Sequence, residues 1–182
     1  MKFEEMLLKR ESCRAYRDQS VSREDLLKIC DAGRLSPSGC NAQPWKFIVV
    51  DEPEALEKLR DCLVVTDGHT GAPWRGQVPA FIILCELEAK VMPSVIAHYK
   101  NSQRFAQGDI GAACMNMCHE AMELGLGTCI IGLNDQAKME QAFGIPSGHE
   151  ARLVLAVGYS AQKNDPPKVR KPLEEVCSFN HW

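Results

Sequence analysis

The chain has 182 residues, 45% of them hydrophobic and 25% charged, and a formal net charge of −3. That length can bury a sizeable core, the composition excludes a disordered chain, and the charge excludes a broadly basic nucleic-acid surface. No apolar run reaches the roughly 20 residues that span a bilayer. The opening MKFEEMLLKRESCR carries acids inside its apolar stretch and no cleavage signal, so a cytoplasmic protein with no membrane or nucleic-acid partner is expected.

Residues 2–9 read as a first helix. Ser22 is placed to cap a second, with Asp25 at the third position and Leu26, Ile29, Cys30 and Gly33 on one face. The stretch SPSGCNAQPWKFIVV, residues 36–50, then runs small hydrogen-bonding residues directly into Trp45 and an apolar strand at 47–50. Pro53 suits the first turn of a helix reaching about residue 63. Residues 66–77 read as a loop, 80–85 as a second strand, and 90–107 show no single pattern. From 109 to 124 the apolar residues Ile110, Cys114, Met117, Ala121 and Leu124 recur at three and four. Ala113, Cys118 and Met122 widen that face, leaving a polar stripe of Asn116, His119, Glu120 and Glu123, so a mostly buried helix is expected. Gly125 and Gly127 mark its end. A third strand follows at 128–133, a short helix at 135–143 and a fourth strand at 153–157. These strands are continuous apolar runs, so helices or a partner should cover both sheet faces. No linker divides the chain, which predicts a single domain over 1–182. The polar, Pro-rich tail at 160–182 fits poorly inside one compact body and is expected to wrap a partner.

The nine cysteines are an odd number, scattered, and form no CxxC, which reads as reduced thiols. The tightest group, Cys114, Cys118 and His119, lacks a second ligand pair at zinc spacing, so these thiols read as small buried side chains and no metal site is expected.

Two sets of residues carry candidate chemistry. Lys9, Arg10, Arg14 and Arg17, with Ser12 among them, lie near the start; Lys168, Arg170 and Lys171 lie near the end. A fold that joins them makes a local phosphate site, because Arg forks onto phosphate oxygens and Ser donates a hydroxyl. Otherwise they form a solvated surface with local charge pairs. In the 36–43 loop, Ser38, Asn41 and Gln43 offer donors and acceptors, Gly39 permits close backbone approach, and Pro37 and Pro44 stiffen the ends. The alternative is a turn that only caps its own backbone. GLGTCIIG follows a helix and is no dinucleotide fingerprint. There is no P-loop, GxSxG or HExxH, and none of the five histidines has a local catalytic context.

Four segments in order resemble the FMN-dependent nitroreductase family over almost the full length. KRESCRAYRDQSV resembles the family's Arg-x-Ser-x-Arg opening, and SPSGCNAQPWKFIVV its Pro-Ser-x-x-Asn-x-Gln-Pro-Trp segment. DIGAACMNMCHEAMELGLGTCIIG resembles its long central helix and following strand, and ARLVLAVGYSAQKNDPPKVRKPLEEV its terminal strand and basic tail. The resemblance implies an α+β homodimer, with a central mixed or antiparallel sheet flanked by helices, a tail exchanged between subunits, and FMN in the cleft between them. By the same likeness Arg10, Ser12, Arg14, Lys168 and Arg170 reach FMN from one subunit, and Pro37, Ser38 and Asn41 from the other. Ile131 and Gly132 match the place where the family presents backbone N–H near flavin N5; family members often carry an acid where this chain has Ile131. The implied reaction passes hydride from NAD(P)H through flavin N5 to electron-poor acceptors such as nitroaromatics or quinones, in ping-pong fashion, with no catalytic side chain. The alternatives are a specialised reductase of the same fold (a dehalogenase or enoate-type enzyme, with residues 86–107 as a lid carrying Tyr99, Arg104 and Phe105) or a flavin-storing or regulatory module without turnover.

Overall fold

The computed structural model describes residues 2–63, 72–98, 103–163 and 167–182. Four strands form one sheet: β1 (Trp45–Val50), β2 (Ala80–Glu86), β3 (Gly127–Ile131) and β4 (Glu150–Gly158). Their spatial order is β1-β2-β4-β3, and every neighbouring pair is antiparallel. The strands run past the apolar cores read from the sequence because ladder pairing uses the backbone, whatever the side chain. Trp45 and Lys46 pair with Glu86 and Cys85, and Gly127 pairs with Gly158. β3 stops at Ile131, two residues before the expected 133.

Alternation along the strands divides the core in two. Phe81, Ile83, Cys85, Cys129, Ile131, Val154 and Ala156 join one cluster with Leu56, Leu59, Cys62 and Met139. These last four come from α3 (Pro53–Cys62) and α6 (Gln136–Phe143). On the opposite face Ala80, Ile82, Leu84, Leu155 and Val157 pack with Leu26, Ile29, Ile110, Ala113, Met117 and Ala121. Those residues come from α2 (Arg23–Arg34) and α5 (Gln103–Glu123). β2 is buried at all seven positions, which is why residues 80–85 read as an unbroken apolar run before the buried Glu86. The molecule is therefore α+β, with helices on both faces of an antiparallel sheet.

Ser22 caps α2, its hydroxyl accepting from the Asp25 N–H at 3.0 Å. α1 spans Phe3–Lys9, and α4 spans Pro93–His98 inside the stretch that had no single pattern. α5 as described spans Gln103–Glu123, so it reaches at least six residues ahead of the expected start at 109, and tertiary contacts hold this added part. The Gln103 side chain accepts from the Ala89 N–H at 2.7 Å and donates to Glu86 and to the Leu87 carbonyl, each at 2.9 Å, so it ties this part of the helix to the end of β2. Of the expected 66–77 loop, Pro73–Gln77 form a short 3-10 turn and residues 66–71 lie outside the described residues, as does Tyr99. α7 (Leu173–Val176) lies in a tail whose Val169, Leu173, Val176, Phe179 and Trp182 are all exposed. Among the described residues no helix is long and apolar enough to cross a membrane. All nine cysteines are free thiols and six of them are buried.

Candidate functional site

The segment after α1 is laid onto the end of the sheet. Ser12 forms a parallel bridge with Thr128 of β3, and the Cys13 N–H donates to the Thr128 carbonyl at 2.8 Å. Tyr16 bridges Ser160, the Arg17 N–H donates to the Tyr159 carbonyl, and the buried Tyr16 hydroxyl donates to the Cys13 carbonyl at 2.9 Å. Two glycines make this approach possible. A Cβ on Gly127 would stand 2.9 Å from Cys13 Sγ, and one on Gly158 would stand 2.8 Å from the Tyr16 ring. Burial pushes the Tyr16 phenol well above its ordinary range, so it stays a neutral donor. Arg10, Ser12 and Arg14 alternate along this extended segment with Glu11 and the buried Cys13. Arg14 is exposed, and its backbone N–H donates to the Gln162 side chain at 2.7 Å.

The tail returns to the same place. The Lys168 ammonium donates to the Arg10 carbonyl and pairs with Glu11 at 3.1 Å. The Ser12 N–H and the Lys168 ammonium beside Glu11 hold its carboxyl below the ordinary carboxylate range. Five candidate residues from the two ends of the sequence thus lie in two neighbouring strips: Arg10, Ser12 and Arg14 in one, Lys168 and Arg170 in the other. Lys168 makes the contact between them. Arg170 is exposed, and its guanidinium donates to the Val169 carbonyl at 2.7 Å.

Pro37, Ser38 and Asn41 occupy a separate structure. The turn at Gly39–Asn41 is a short 3-10 element in which Cys40 and Asn41 have φ of 55° and 53°, and Gln43 follows with φ of 46°. Left-handed backbone costs an L-residue about 1–2 kcal/mol, less for Asn, so three in four positions need support from outside the turn. Part of the loop caps itself, as the simpler sequence reading holds: Ser38 Oγ accepts from the Gln43 N–H at 2.9 Å. The Gln43 amide donates to Asn41 Oδ1 at 3.2 Å. The rest of the support comes from α5. Asn116 donates to Ser36 Oγ at 2.7 Å, and Asp109 accepts from the Gly39 N–H. With their acceptors engaged, Ser38 keeps its O–H and Asn41 its N–H groups as donors for a second molecule. Among the described residues no hydrogen bond or ion pair joins this loop to the 10–14 segment or to Lys168.

Ile131 closes β3 with its side chain in the α3/α6-side core, and exposed Gly132 follows it at the strand end. Sequence reading missed Glu11, Gln162 and Asp109. Each is an ordinary surface-type residue whose role depends on a neighbour roughly 70 or more positions away, and nothing local signals it.

The arrangement offers a cationic, hydroxyl-bearing strip at a strand end and a rigid loop of donors. The sequence model of the nitroreductase family matches residues 7–65 and 69–159. A Methanothermobacter thermautotrophicus protein named for NADH dehydrogenase and NAD(P)H nitroreductase activity is 31% identical over 163 residues, covering 87% of this chain and 77% of its own. The crystal structure of a nitroreductase family protein from Clostridium difficile 630 superposes over 100% of both chains with a TM-score of 0.81 and 28% identity. An FMN-dependent nitroreductase from Clostridium difficile R20291 superposes with a TM-score of 0.75 and 26% identity, over 97% of this chain and 98% of that one. With a match that runs through the 10–14 strip, the donor loop, the long central helix and all four strands, the chain belongs to the nitroreductase family.

Proposed function

We propose that the protein is an FMN-dependent, NAD(P)H-oxidising enzyme that works as a homodimer. The observation that carries this reading is the seating of Lys168 on Arg10 and Glu11, which joins the basic tail to the Arg10–Ser12–Arg14 strip. Guanidinium and ammonium groups beside a hydroxyl suit the phosphate and ribityl oxygens of FMN, and the strip lacks the glycine-rich turn that a dinucleotide requires. The likeness to an FMN-dependent nitroreductase supports the same choice. When bound, FMN supplies the two-electron chemistry, taking hydride from NAD(P)H at N5 and passing it to an electron-poor acceptor such as a nitroaromatic or a quinone.

The protein's own task is to bind and orient. Arg10, Ser12, Lys168 and Arg170 hold the phosphate end, and Arg14 faces the polar edge of the ring. Ile131 and Gly132 approach the ring with backbone at the end of β3. Pro37, Ser38 and Asn41 of a second copy close the cleft with hydrogen-bond donors. The exposed apolar side chains of the 167–182 tail pack on that copy.

Purification and release of the pigment test the reading. A yellow protein yielding FMN, with steady-state NAD(P)H oxidation in the presence of a quinone or nitroaromatic, is expected. A colourless protein that ignores added FMN overturns it. One that binds FMN without turnover is a storage or regulatory module.

A further inference from the structure

Among the described residues, the turn that holds the left-handed Cys40 and Asn41 has one tether from another element that bonds within the turn itself. The Gly39 N–H donates to both carboxylate oxygens of Asp109, at 3.2 and 3.1 Å, across a sequence separation of 70 residues. Behind it the turn closes through Asn41 N–H to the Ser38 carbonyl and Ala42 N–H to the Gly39 carbonyl, each at 3.0 Å. The second tether, Asn116 to Ser36, leaves α5 about two turns further along and holds the loop before the turn begins. A Cβ on Gly39 would stand 3.6 Å from the Phe105 side chain and 3.8 Å from Asp109, so the backbone lies directly against α5 here. Ser38 and Asn41, the donors left over, flank the clamped amide.

We infer that Asp109 is a positioning residue: its carboxylate holds the 38–41 turn in its left-handed form, so that the Ser38 O–H and the Asn41 amide N–H groups point together at one acceptor-rich ligand. Gln43 complements it, because its bond to Asn41 Oδ1 fixes which side of that amide is presented. The inference rests on the flavin reading for the ligand's identity, but the clamp itself does not. A turn released from Asp109 samples right-handed backbone at Cys40 and Asn41, which lowers the fraction of protein competent to bind and weakens apparent affinity in proportion.

The test compares wild type, Asp109→Ala, Asp109→Asn and Asp109→Ala combined with Cys40→Gly. Amide hydrogen exchange at Gly39 is measured by NMR on flavin-free protein, and affinity by FMN titration. Asp109→Ala should speed Gly39 exchange by about 10-fold or more and weaken FMN binding by about 10-fold. Asp109→Asn keeps an acceptor oxygen and should stay within about 3-fold of wild type. Cys40→Gly should restore most of the affinity lost in Asp109→Ala, since glycine adopts a φ of 55° without the Cβ penalty. Glycine at position 40 also relieves strain in the fold as a whole, so global stability is measured in parallel by urea unfolding, and Asp109→Ala should lose affinity under conditions where it remains fully folded. If Asp109→Ala does not fold, Asp109→Ser, too short to reach Gly39, takes its place. Unchanged Gly39 exchange, raised exchange with unchanged FMN affinity, or no rescue by Cys40→Gly each overturns the inference. A wild type that takes up no FMN overturns the proposed function instead, and Gly39 exchange then still decides whether Asp109 holds the turn.

Discussion

Arg14 and Arg170 look alike in sequence and are both exposed, yet they project from different strips. A charge-assisted hydrogen bond contributes about 1.5–3 kcal/mol. Arg170→Ala should therefore raise the Kd for FMN about 10- to 100-fold with little change in midpoint potential. Arg14→Ala should act on the potential. At about 30 mV per 1.4 kcal/mol for a two-electron couple, loss of a contact made mainly to reduced flavin lowers it by about 30–60 mV. Flavin titration against a reference dye measures both, and the reverse pattern would show that the two residues have been exchanged. The thiols make a separate prediction. Burial pushes Cys30 and Cys85 up from 9.0 to about 11. Both are raised in the fold, so the stabilisation from keeping them protonated is complete below pH 9 and is lost as pH rises toward 11. Urea unfolding under reducing conditions should show stability falling through that window, and less steeply in Cys85→Ala.

Elements whose boundaries depend on local chemistry were legible in the sequence. Ser22 with Asp25, and Pro53 at the head of α3, mark helix starts that need nothing beyond their own residues. The first turns of the described α5 were not legible, because Gln103 holds them by reaching across to Glu86 and Leu87, and no periodicity encodes that partner. The same holds within the site. The Arg-x-Ser-x-Arg strip and the Ser38/Asn41 loop could be read as residue types, whereas Glu11 and Asp109 act only through the folded contact. Glu86 shows how much such a contact carries. Its side chain is 5% exposed and accepts from Arg152 as well as from Gln103. Glu86→Ala removes both bonds and leaves Arg152 to Glu150 and Gln103 to its backbone partners, a loss of about 2–3 kcal/mol. Urea denaturation should report that loss, and hydrogen exchange should rise first at residues 103–106.

For the whole molecule, the expectation is two identical copies sharing two flavin sites. Sedimentation should give a dimer, and a chain ending at residue 163 should lose both the dimer and the flavin. A stable monomer carrying FMN would contradict the shared cleft. The strand order has a consequence for biosynthesis. β4 is the last strand to leave the ribosome, yet it lies between β2 and β3 and pairs with both. Until residue 158 emerges, no strand joins the β1–β2 pair to β3, and β2 has only one of its two ladder partners. At about 5–20 residues per second, the nascent chain carries an open, apolar sheet edge from the completion of β2 until β4 arrives, several seconds later. Closure of the sheet then happens in one late step across distant segments, and pairing of that kind is slow.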